Sequence, residues 1–231
     1  MNVAIIPARG GSKRIPGKNV KDFCGRPIIS YSISAAVESG CFDKIIISTD
    51  DEDIAEVALQ YGAEVPFFRP HELANDHAAT LPVIKHAIEW LAKNGWAFTH
   101  ACCIYATAPL IDYKDIIRGY ELMLASSADY AFTVVPFPSP IQRALYITEN
   151  GRVNMFHPEH YYTRSQDLTP AYHDAAQFYW GKTSAYMAEE MIFSDKAIPI
   201  IMPAYRVQDI DNAEDWVAAE MKYRMLQSMK D

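Results

Sequence analysis

A loop rich in glycine and basic residues follows the first apolar segment of the chain. The adjacent Gly10 and Gly11 follow the apolar run 3–8 after one residue, Arg9, and they allow a sharp turn that brings backbone N–H groups close to a bound group. The formal net charge of the 231-residue chain is -8, so positive charge gathered in one loop indicates a specific anionic ligand. The basic side chains of the loop are Arg9, Lys13, Arg14 and Lys18. This combination predicts a polyphosphate-binding site.

The loop differs from a P-loop of the GxxxxGK[ST] kind. Five residues separate Gly11 from Gly17 where that motif has four, and Lys18 is followed by Asn19 where the motif needs a hydroxyl for Mg²⁺. The next good helix start is Pro27, which suits the first position of a helix. We therefore predict that the loop wraps its ligand without docking it on a helix N-terminus. A flexible basic surface loop is the alternative that the residues alone leave open.

An acidic step near the end of the chain is the second candidate for chemistry. Asp209 and Asp211 are two positions apart, so in an extended segment their carboxylates point to the same side. Carboxylate oxygens are ligands that Mg²⁺ prefers, and one or two of them suffice when substrate phosphate and water complete the shell. The same residues could instead be an acidic helix start, since Asp211 or Asn212 can serve as an N-cap.

Alternating strand and helix patterns must position these residues. We predict strands over 3–8, 44–48, 99–105, 130–136 and 198–202, and helices over 27–39, 52–61, 81–93, 113–125, 183–190 and 212–227. Alternation with buried strands predicts an α/β fold, with a doubly wound, mainly parallel sheet in a single domain of residues 1–231. Ligands of such sheets bind beyond the carboxyl ends of the strands, which is where loop 9–19 falls.

Residues 136–178 interrupt the alternation. Asn150-Gly151 lies between the short apolar runs 145–147 and 153–155, which is a β-hairpin signal. Aromatic residues follow the hairpin, namely Phe156, Tyr161, Tyr162 and Tyr172. A protruding hairpin with so much aromatic surface predicts burial against a second subunit. An irregular cover over the core of the same subunit is the alternative.

Composition excludes several classes of protein. Beyond the first loop no basic stripe with interleaved aromatics appears, so nucleic acid is not the expected partner. No apolar run approaches the roughly eighteen residues of a membrane span, and the N-terminus lacks a secretory pattern. We therefore expect a cytoplasmic protein with no membrane partner.

Two ordered segments carry a resemblance to a known family. They are residues 8–19, ARGGSKRIPGKN, and residues 25–29, GRPII. Together they resemble the signature of the CMP-sialic acid synthetase family, the cytidylyltransferases that activate nine-carbon acidic sugars. The resemblance implies a Rossmann-like nucleotidyltransferase that takes CTP and an acidic nine-carbon sugar. It also implies a homodimer formed through the excursion 136–178, which would reach into the neighbour's sugar pocket.

The resemblance assigns roles to individual residues. Nucleotide contacts fall on Ala8, Arg9, Gly10, Gly11, Ser12, Lys13, Lys18 and Asn19 and, in the loop expected beneath the pyrimidine, on Ala78 and Thr80. Asp209 and Asp211 match the Mg²⁺ site. The expected catalytic groups are Arg9, Lys13 and Lys18, which would hold the triphosphate and the leaving pyrophosphate, and Asp211.

The expected sugar-binding residues depart from the sialate pattern. Tyr105 stands where sialate enzymes have glutamine, and Ala175-Ala176 stand where they tend to have Asn-Gly. Residues 173–180, HDAAQFYW, resemble the pseudaminic acid branch instead. The resulting hypothesis is a pseudaminic acid cytidylyltransferase whose sugar site contains Tyr105, Arg164, His173, Gln177 and Phe178.

Other functions stay open from the residues alone. The same class includes cytidylyltransferases for N-acetylneuraminic, legionaminic or 3-deoxy-manno-octulosonic acid, and a second class is a non-catalytic nucleotide-binding module. The Asp209/Asp211 pair beside Arg9 and Lys18 favours an enzyme, because a pure binder needs no such pair.

Overall fold

The central feature of the fold is a six-stranded sheet. The structure, a computed structural model, describes residues 1–75 and 78–229. The strands of the sheet are β1 (Asn2–Pro7), β4 (Lys44–Ser48), β5 (His100–Ile104), β6 (Tyr130–Pro136), β9 (Tyr172–Lys182) and β10 (Ala197–Ile201), in the order β10-β6-β9-β5-β1-β4. β1 runs parallel to β4 and β5, and β10 runs parallel to β6. The predicted mainly parallel sheet is therefore confirmed.

Helices cover both faces of the sheet, because its strands are apolar on both sides. The helices are α1 (Ile29–Ser39), α2 (Glu52–Gln60), α3 (Thr80–Lys93), α4 (Tyr113–Ser126), α5 (Thr183–Met187) and α6 (Ala213–Ser228). One core joins α1, α2 and α4 to the sheet, and a second joins α3 and α5 to its other face. The six predicted helices are confirmed within a few residues at their ends.

A two-stranded hairpin follows the predicted polyphosphate-binding loop, residues 9–19. Strands β2 (Asp22–Phe23) and β3 (Arg26–Pro27) pair antiparallel. The turn residues Cys24 and Gly25 have φ of 50° and 99°, the positive values that a two-residue hairpin turn of type I′ requires. Phe23 is fully buried against Trp216 of α6, so the hairpin ties the loop to the last helix.

Strand β9 was not predicted, and its presence changes the bounds of the excursion. β9 is antiparallel to both of its neighbours, β5 and β6, so its first residues belong to the central sheet. The excursion therefore spans 137–171 rather than the predicted 136–178. Its hairpin, β7 (Leu145–Ile147) and β8 (Val153–Met155), forms a separate two-stranded sheet at the predicted positions.

Candidate active site

A cavity of about 520 Å³ opens at the carboxyl ends of β1 and β5. Its walls come from the end of β1 and the loop after it, from the start of α3, from the residues that follow β5, and from Asp211. This is the edge at which the parallel topology predicts a ligand. Seven of the predicted nucleotide-binding residues line it, namely Arg9, Ser12, Lys13, Lys18, Asn19, Ala78 and Thr80.

The remaining three predicted nucleotide contacts lie outside the lining. Ala8 is buried, and its N–H donates to the carbonyl of Ser48 at 3.0 Å. The N–H of Gly10 donates to Oδ1 of Asp50 at 2.9 Å, so this group is already engaged. Gly11 is also absent from the walls. Ala8 and the two glycines therefore lie outside the cavity wall, whereas the other predicted residues of the loop line it.

Gly10 is required for close packing against α2. A Cβ at this position would lie 2.3 Å from Oδ2 of Asp51 and 2.9 Å from its Cβ. Asp51 is the N-cap of α2, where its side chain accepts a hydrogen bond from the N–H of Ile54 at 3.0 Å. The glycine thus lets the loop approach the start of α2, which is a different reason from the predicted exposure of its N–H.

Lys18 joins the loop to the acidic step. Its Nζ donates to the carbonyl of Ile210 at 2.6 Å, between Asp209 and Asp211. Burial lowers the pKa of Lys18, while the charges of the two aspartates act in the opposite direction. Asn19 is buried beside it and donates from Nδ2 to the carbonyl of Arg9 at 2.9 Å, which fixes the shape of the loop. The local fold therefore places Lys18 and Asp211 in the cavity wall, with Asp209 two residues before Asp211.

Asp209 and Asp211 interact electrostatically, as their spacing predicts. Burial, and after it the charge of Asp211, raise the pKa of Asp209. Asp211 lines the cavity and forms a 2.7 Å ion pair with Arg14, with 47% of its side chain exposed. The residue after this pair, Asn212, caps α6 and accepts from the N–H groups of Glu214 and Asp215. The helix cap is thus Asn212, which leaves both aspartate side chains out of the capping role.

Arg69 is a cavity residue to which the sequence reasoning assigned no role. Only 6% of it is exposed, and its guanidinium donates to the hydroxyl of Ser48 at 3.0 Å and to the Ser48 carbonyl. Burial lowers its pKa to about 10, so the group is still charged at neutral pH. Its position before Pro70 did not indicate that it would line the cavity. Its closeness to the cavity depends on the pairing of residues 68–69 with the residue that follows β4.

The start of α3 forms another wall of the cavity. Thr80 is the first residue of the helix, and the N-cap is Ala79, whose side chain makes no capping hydrogen bond. The N–H groups of Thr80 and Leu81, in the first turn of the helix, have no intrahelical partner and can donate to a bound group, whereas the third residue, Pro82, has no N–H. Asp76 and His77, in the segment expected beneath the pyrimidine, lie outside the described residues.

Of the five predicted sugar-binding residues, Tyr105 lines the cavity and the other four do not. Arg164 is 71% exposed at its side chain and pairs with Asp167 at 2.7 Å, out in the excursion. His173 is exposed and lies 4.8 Å from Phe137, centroid to centroid. Gln177 is buried, with its Nε2 donating to the carbonyl of Arg206 at 2.7 Å.

Phe178 is a wrong prediction with a clear physical reason. It is 0% exposed and belongs to the core on the α4 face of the sheet. Neighbouring residues of a strand point to opposite faces, so Tyr179 is the residue directed to the face that carries Tyr105. The Tyr179 hydroxyl lies 3.4 Å from that of Tyr105 and bonds to Oδ2 of Asp174. Tyr179 and Asp174 are therefore the neighbours of Tyr105 that sequence reasoning missed.

Comparisons with known proteins identify relatives along almost the whole chain. The cytidylyltransferase family model matches residues 3–228 of the chain. The chain is 48% identical over 225 residues to the pseudaminic acid cytidylyltransferase of Campylobacter jejuni subsp. jejuni, a match that covers 97% of each chain. It is 28% identical to the CMP-N,N'-diacetyllegionaminic acid synthase of Legionella pneumophila, with 94% of each chain covered.

A solved structure supports the fold. The structure of CMP:2-keto-3-deoxy-manno-octonic acid synthetase complexed with CTP matches with a TM-score of 0.70, covering 98% of this chain and 99% of that chain. The two sequences are only 15% identical, so this likeness speaks for the nucleotidyltransferase fold alone.

Proposed function

The chain belongs to the cytidylyltransferase family and is a nucleotidyltransferase, and from this premise we propose that it transfers CMP from CTP to the anomeric hydroxyl of pseudaminic acid, with release of pyrophosphate. The observation that carries the proposal is the cavity at the ends of β1 and β5, where cationic side chains gather opposite Asp211. These cations are Arg9, Lys13, Arg14, Lys18 and Arg69.

The cations match the charge of a nucleoside triphosphate. Pyrophosphate gains negative charge as the bond to the α-phosphate breaks, so donors fixed in the cavity stabilise the transition state more than bound CTP. Lys18 and Arg69 suit this role because hydrogen bonds to the backbone already hold them in place. The chain's own contribution is thus to bind the triphosphate and to stabilise the leaving group.

The base of CTP is assigned to the start of α3. Ala78 and Thr80 line the cavity at the N-terminus of α3. Cytosine needs a donor toward its O2 and an acceptor for its exocyclic amine, and main-chain groups can supply both. This assignment follows the nucleotide contacts expected from the sequence.

The donor set fits Mg²⁺. Among residues 1–75 and 78–229 no group of three or more histidine, cysteine or acidic residues could hold a metal, so Asp209 and Asp211 stand as a pair. A pair of carboxylates is the usual protein share of a Mg²⁺ shell that substrate phosphate and water complete. When bound there, Mg²⁺ would supply charge stabilisation at the α-phosphate. Arg14 would have to leave Asp211 for the ion to bind, since the two now form an ion pair.

The sugar assignment rests on the pattern of similarity. The identity to the Campylobacter pseudaminic acid enzyme is 48%, against 28% for the Legionella legionaminic acid enzyme at comparable coverage. Tyr105 in the cavity is the residue that departs from the glutamine expected of sialate enzymes. We therefore prefer pseudaminic acid over N-acetylneuraminic, legionaminic and 3-deoxy-manno-octulosonic acid.

Assembly and location complete the proposal. We propose that residues 1–231 form one nucleotidyltransferase domain that dimerises through the excursion 137–171, with Arg164 offered to the partner's sugar site. No helix in the described part of the chain is long and apolar enough to cross a membrane. We place the enzyme in the cytoplasm, where its proposed donor CTP is found.

Pyrophosphate release from CTP tests the proposal. The purified chain is incubated with CTP, Mg²⁺ and, in turn, pseudaminic, N-acetylneuraminic, legionaminic and 3-deoxy-manno-octulosonic acid. We expect the highest kcat/KM with pseudaminic acid, by about a hundredfold over N-acetylneuraminic acid if two buried hydroxyls of the latter are left unpaired. Equal or better use of another sugar would reassign the substrate, and release with none of them would overturn the proposed function.

A further inference from the structure

A bulge in β9 places two distant residues on one face of the sheet. Tyr179 pairs with Phe132, and Asp174 pairs with Val134. A step of five residues along β9 therefore lies opposite a step of two residues along β6. Phe132 and Val134 are two apart and share a face, so Asp174 and Tyr179 share it too. In a regular strand, residues five apart would point to opposite faces. Ala176 takes up the extra length with φ of 49°.

Hydrogen bonds join this pair to the cavity. Asp174 is half-buried, and its Oδ1 accepts from the N–H of Ala176 at 2.9 Å while its Oδ2 binds the Tyr179 hydroxyl. The Tyr179 hydroxyl lies 3.4 Å from the Tyr105 hydroxyl, which also has a side-chain hydrogen bond with Thr80. The chain of contacts therefore runs from Asp174 through Tyr179 and Tyr105 to the cavity wall.

The single proton of each hydroxyl fixes the direction of these bonds. A carboxylate only accepts, so the Tyr179 proton goes to Asp174. Tyr179 then has no proton left for its neighbour, so a hydrogen bond between the two hydroxyls, which lie 3.4 Å apart, needs Tyr105 as its donor. Burial raises the pKa of both phenols, which keeps both protons in place. The Tyr105 oxygen, which also takes part in the hydrogen bond with Thr80, is thereby left to accept one further hydrogen bond from the cavity side.

We propose that Asp174 is a positioning residue that, through Tyr179, makes the Tyr105 hydroxyl a hydrogen-bond acceptor for an amide N–H of an acylamino sugar. An amide N–H can only donate a hydrogen bond, so a Tyr105 hydroxyl that is held as an acceptor suits it. A tyrosine hydroxyl that is not held in this way could reorient its proton and would act as donor or acceptor. The inference deepens the proposed function and rests on it, because it names the group that reads the sugar.

The substitution Asp174→Asn reverses the direction of these hydrogen bonds while replacing a single oxygen by an NH2 group. The amide Oδ1 keeps the bond from the N–H of Ala176, so Nδ2 takes the place of Oδ2 and must donate to Tyr179. The Tyr179 proton then turns to Tyr105, and the Tyr105 proton turns to the cavity. Against pseudaminic acid we expect KM for the sugar to rise about tenfold, the effect of one mismatched hydrogen bond, with KM for CTP unchanged.

A double-mutant cycle separates this role from a structural one. In the Tyr105→Phe background Asp174→Asn should have no further effect on KM for the sugar, since the inverted hydroxyl is gone. Tyr130→Phe is the matched control, because it removes a buried tyrosine hydroxyl of the same sheet that binds the carbonyl of Glu190 at 3.1 Å. It should leave both KM values as in the parent.

The outcomes separate the inference from the proposed function. If the parent enzyme is active and Asp174→Asn leaves KM for the sugar unchanged, or raises KM for CTP equally, the inference is overturned and the function stands. Full additivity of Asp174→Asn with Tyr105→Phe would likewise overturn it. If the parent releases no pyrophosphate with any of the sugars, both fail together.

Discussion

Individual side chains at the cavity supply charge and also hold neighbouring groups in position. Lys18 supplies charge to the site and also holds the backbone between Asp209 and Asp211 by its 2.6 Å bond to the Ile210 carbonyl. Asp211 in turn neutralises Arg14 at 2.7 Å. Removing either group therefore changes the field of the site and the placement of its neighbours, so both binding and turnover should respond.

Lys18→Met should affect CTP binding and chemistry together. The variant removes one charge and frees the acidic step, so we expect KM for CTP to rise and kcat to fall about a hundredfold, as for loss of a key electrostatic group. Steady-state kinetics of pyrophosphate release measures both constants. Lys85→Met is the matched control, since this lysine pairs with Glu189 outside the cavity. A Lys18→Met enzyme with parental constants would contradict the role given to the loop.

Asp211→Ala should reduce turnover while leaving the fold intact. We expect a loss of about a hundredfold or more in kcat, and a higher Mg²⁺ concentration for half-maximal activity, because one of two carboxylates is lost. The control is Asp195→Ala, an exposed aspartate of the chain. Near-parental turnover in the presence of EDTA would rule out the metal assignment.

Contacts between elements set the shape of the cavity. The loop after β1 packs on the N-terminus of α2 through Gly10, and the bulged β9 carries Asp174 and Tyr179 to the face of Tyr105. Lys222 of α6 donates to the carbonyl of Val207 at 2.6 Å, which holds the segment that precedes the acidic step. Each of these contacts joins residues that are distant in the sequence.

Gly10→Ala should disturb the loop, and Gly11→Ala should not. The added Cβ at position 10 would lie 2.3 Å from Oδ2 of Asp51, whereas a Cβ at position 11 meets nothing within 4 Å. We expect Gly10→Ala to lower the free energy of unfolding by about 1–3 kcal/mol, as in other overpacked sites, and to raise KM for CTP. Chemical denaturation and kinetics give the two values. Equal behaviour of the two variants would show that the approach to Asp51 is unimportant.

The excursion gathers many exposed apolar side chains in one segment. Tyr162 is 93% exposed, Ile147 77%, and Phe156 61%. So much apolar surface in one protruding segment suits a two-fold interface, in which the same patch is used by both subunits.

We expect the protein to be a dimer with twice its chain mass of 26.1 kDa. The double variant Ile147→Asp with Tyr162→Asp should be a monomer, because it places charge in the centre of the patch. Met191→Asp, at a 72% exposed residue outside the excursion, is the control and should stay dimeric. Light scattering at micromolar concentration measures the mass, and a monomeric parent would refute the interface.

Stability should decrease in mildly acidic solution because two histidines lie in partly buried positions. Burial lowers the pKa of His86 and His100 below 6.5. The unfolded chain therefore binds more protons as the pH falls through 6.5, and stability is lost until the lowered folded values are reached. We expect Tm to fall between about pH 7 and pH 5, and to fall less in His86→Gln with His100→Gln. His71 is exposed, so the control His71→Gln should show the same fall of Tm with pH as the parent. If Tm of the double variant depends on pH as strongly as that of the parent, the explanation is wrong.

The sequence by itself determined the local features of this protein. Runs of buried apolar residues located five strands of the sheet, and Asn150-Gly151 located the hairpin β7–β8, because strand period and turn chemistry are properties of neighbouring residues. The basic loop 9–19 and the Asp209/Asp211 pair were visible for the same reason. The meeting of this loop with Asp211 in one cavity followed from parallel topology, which brings strand ends to one edge.

Only the tertiary structure decided which side chains share that cavity. Arg69 reaches it through pairing with the end of β4, and Tyr179 rather than Phe178 faces Tyr105 because a one-residue difference along a strand changes the face. The bulge at Ala176 then brings Asp174 to Tyr179 across five positions. Register and bulges depend on contacts between distant segments, so no pattern within β9 itself could reveal them.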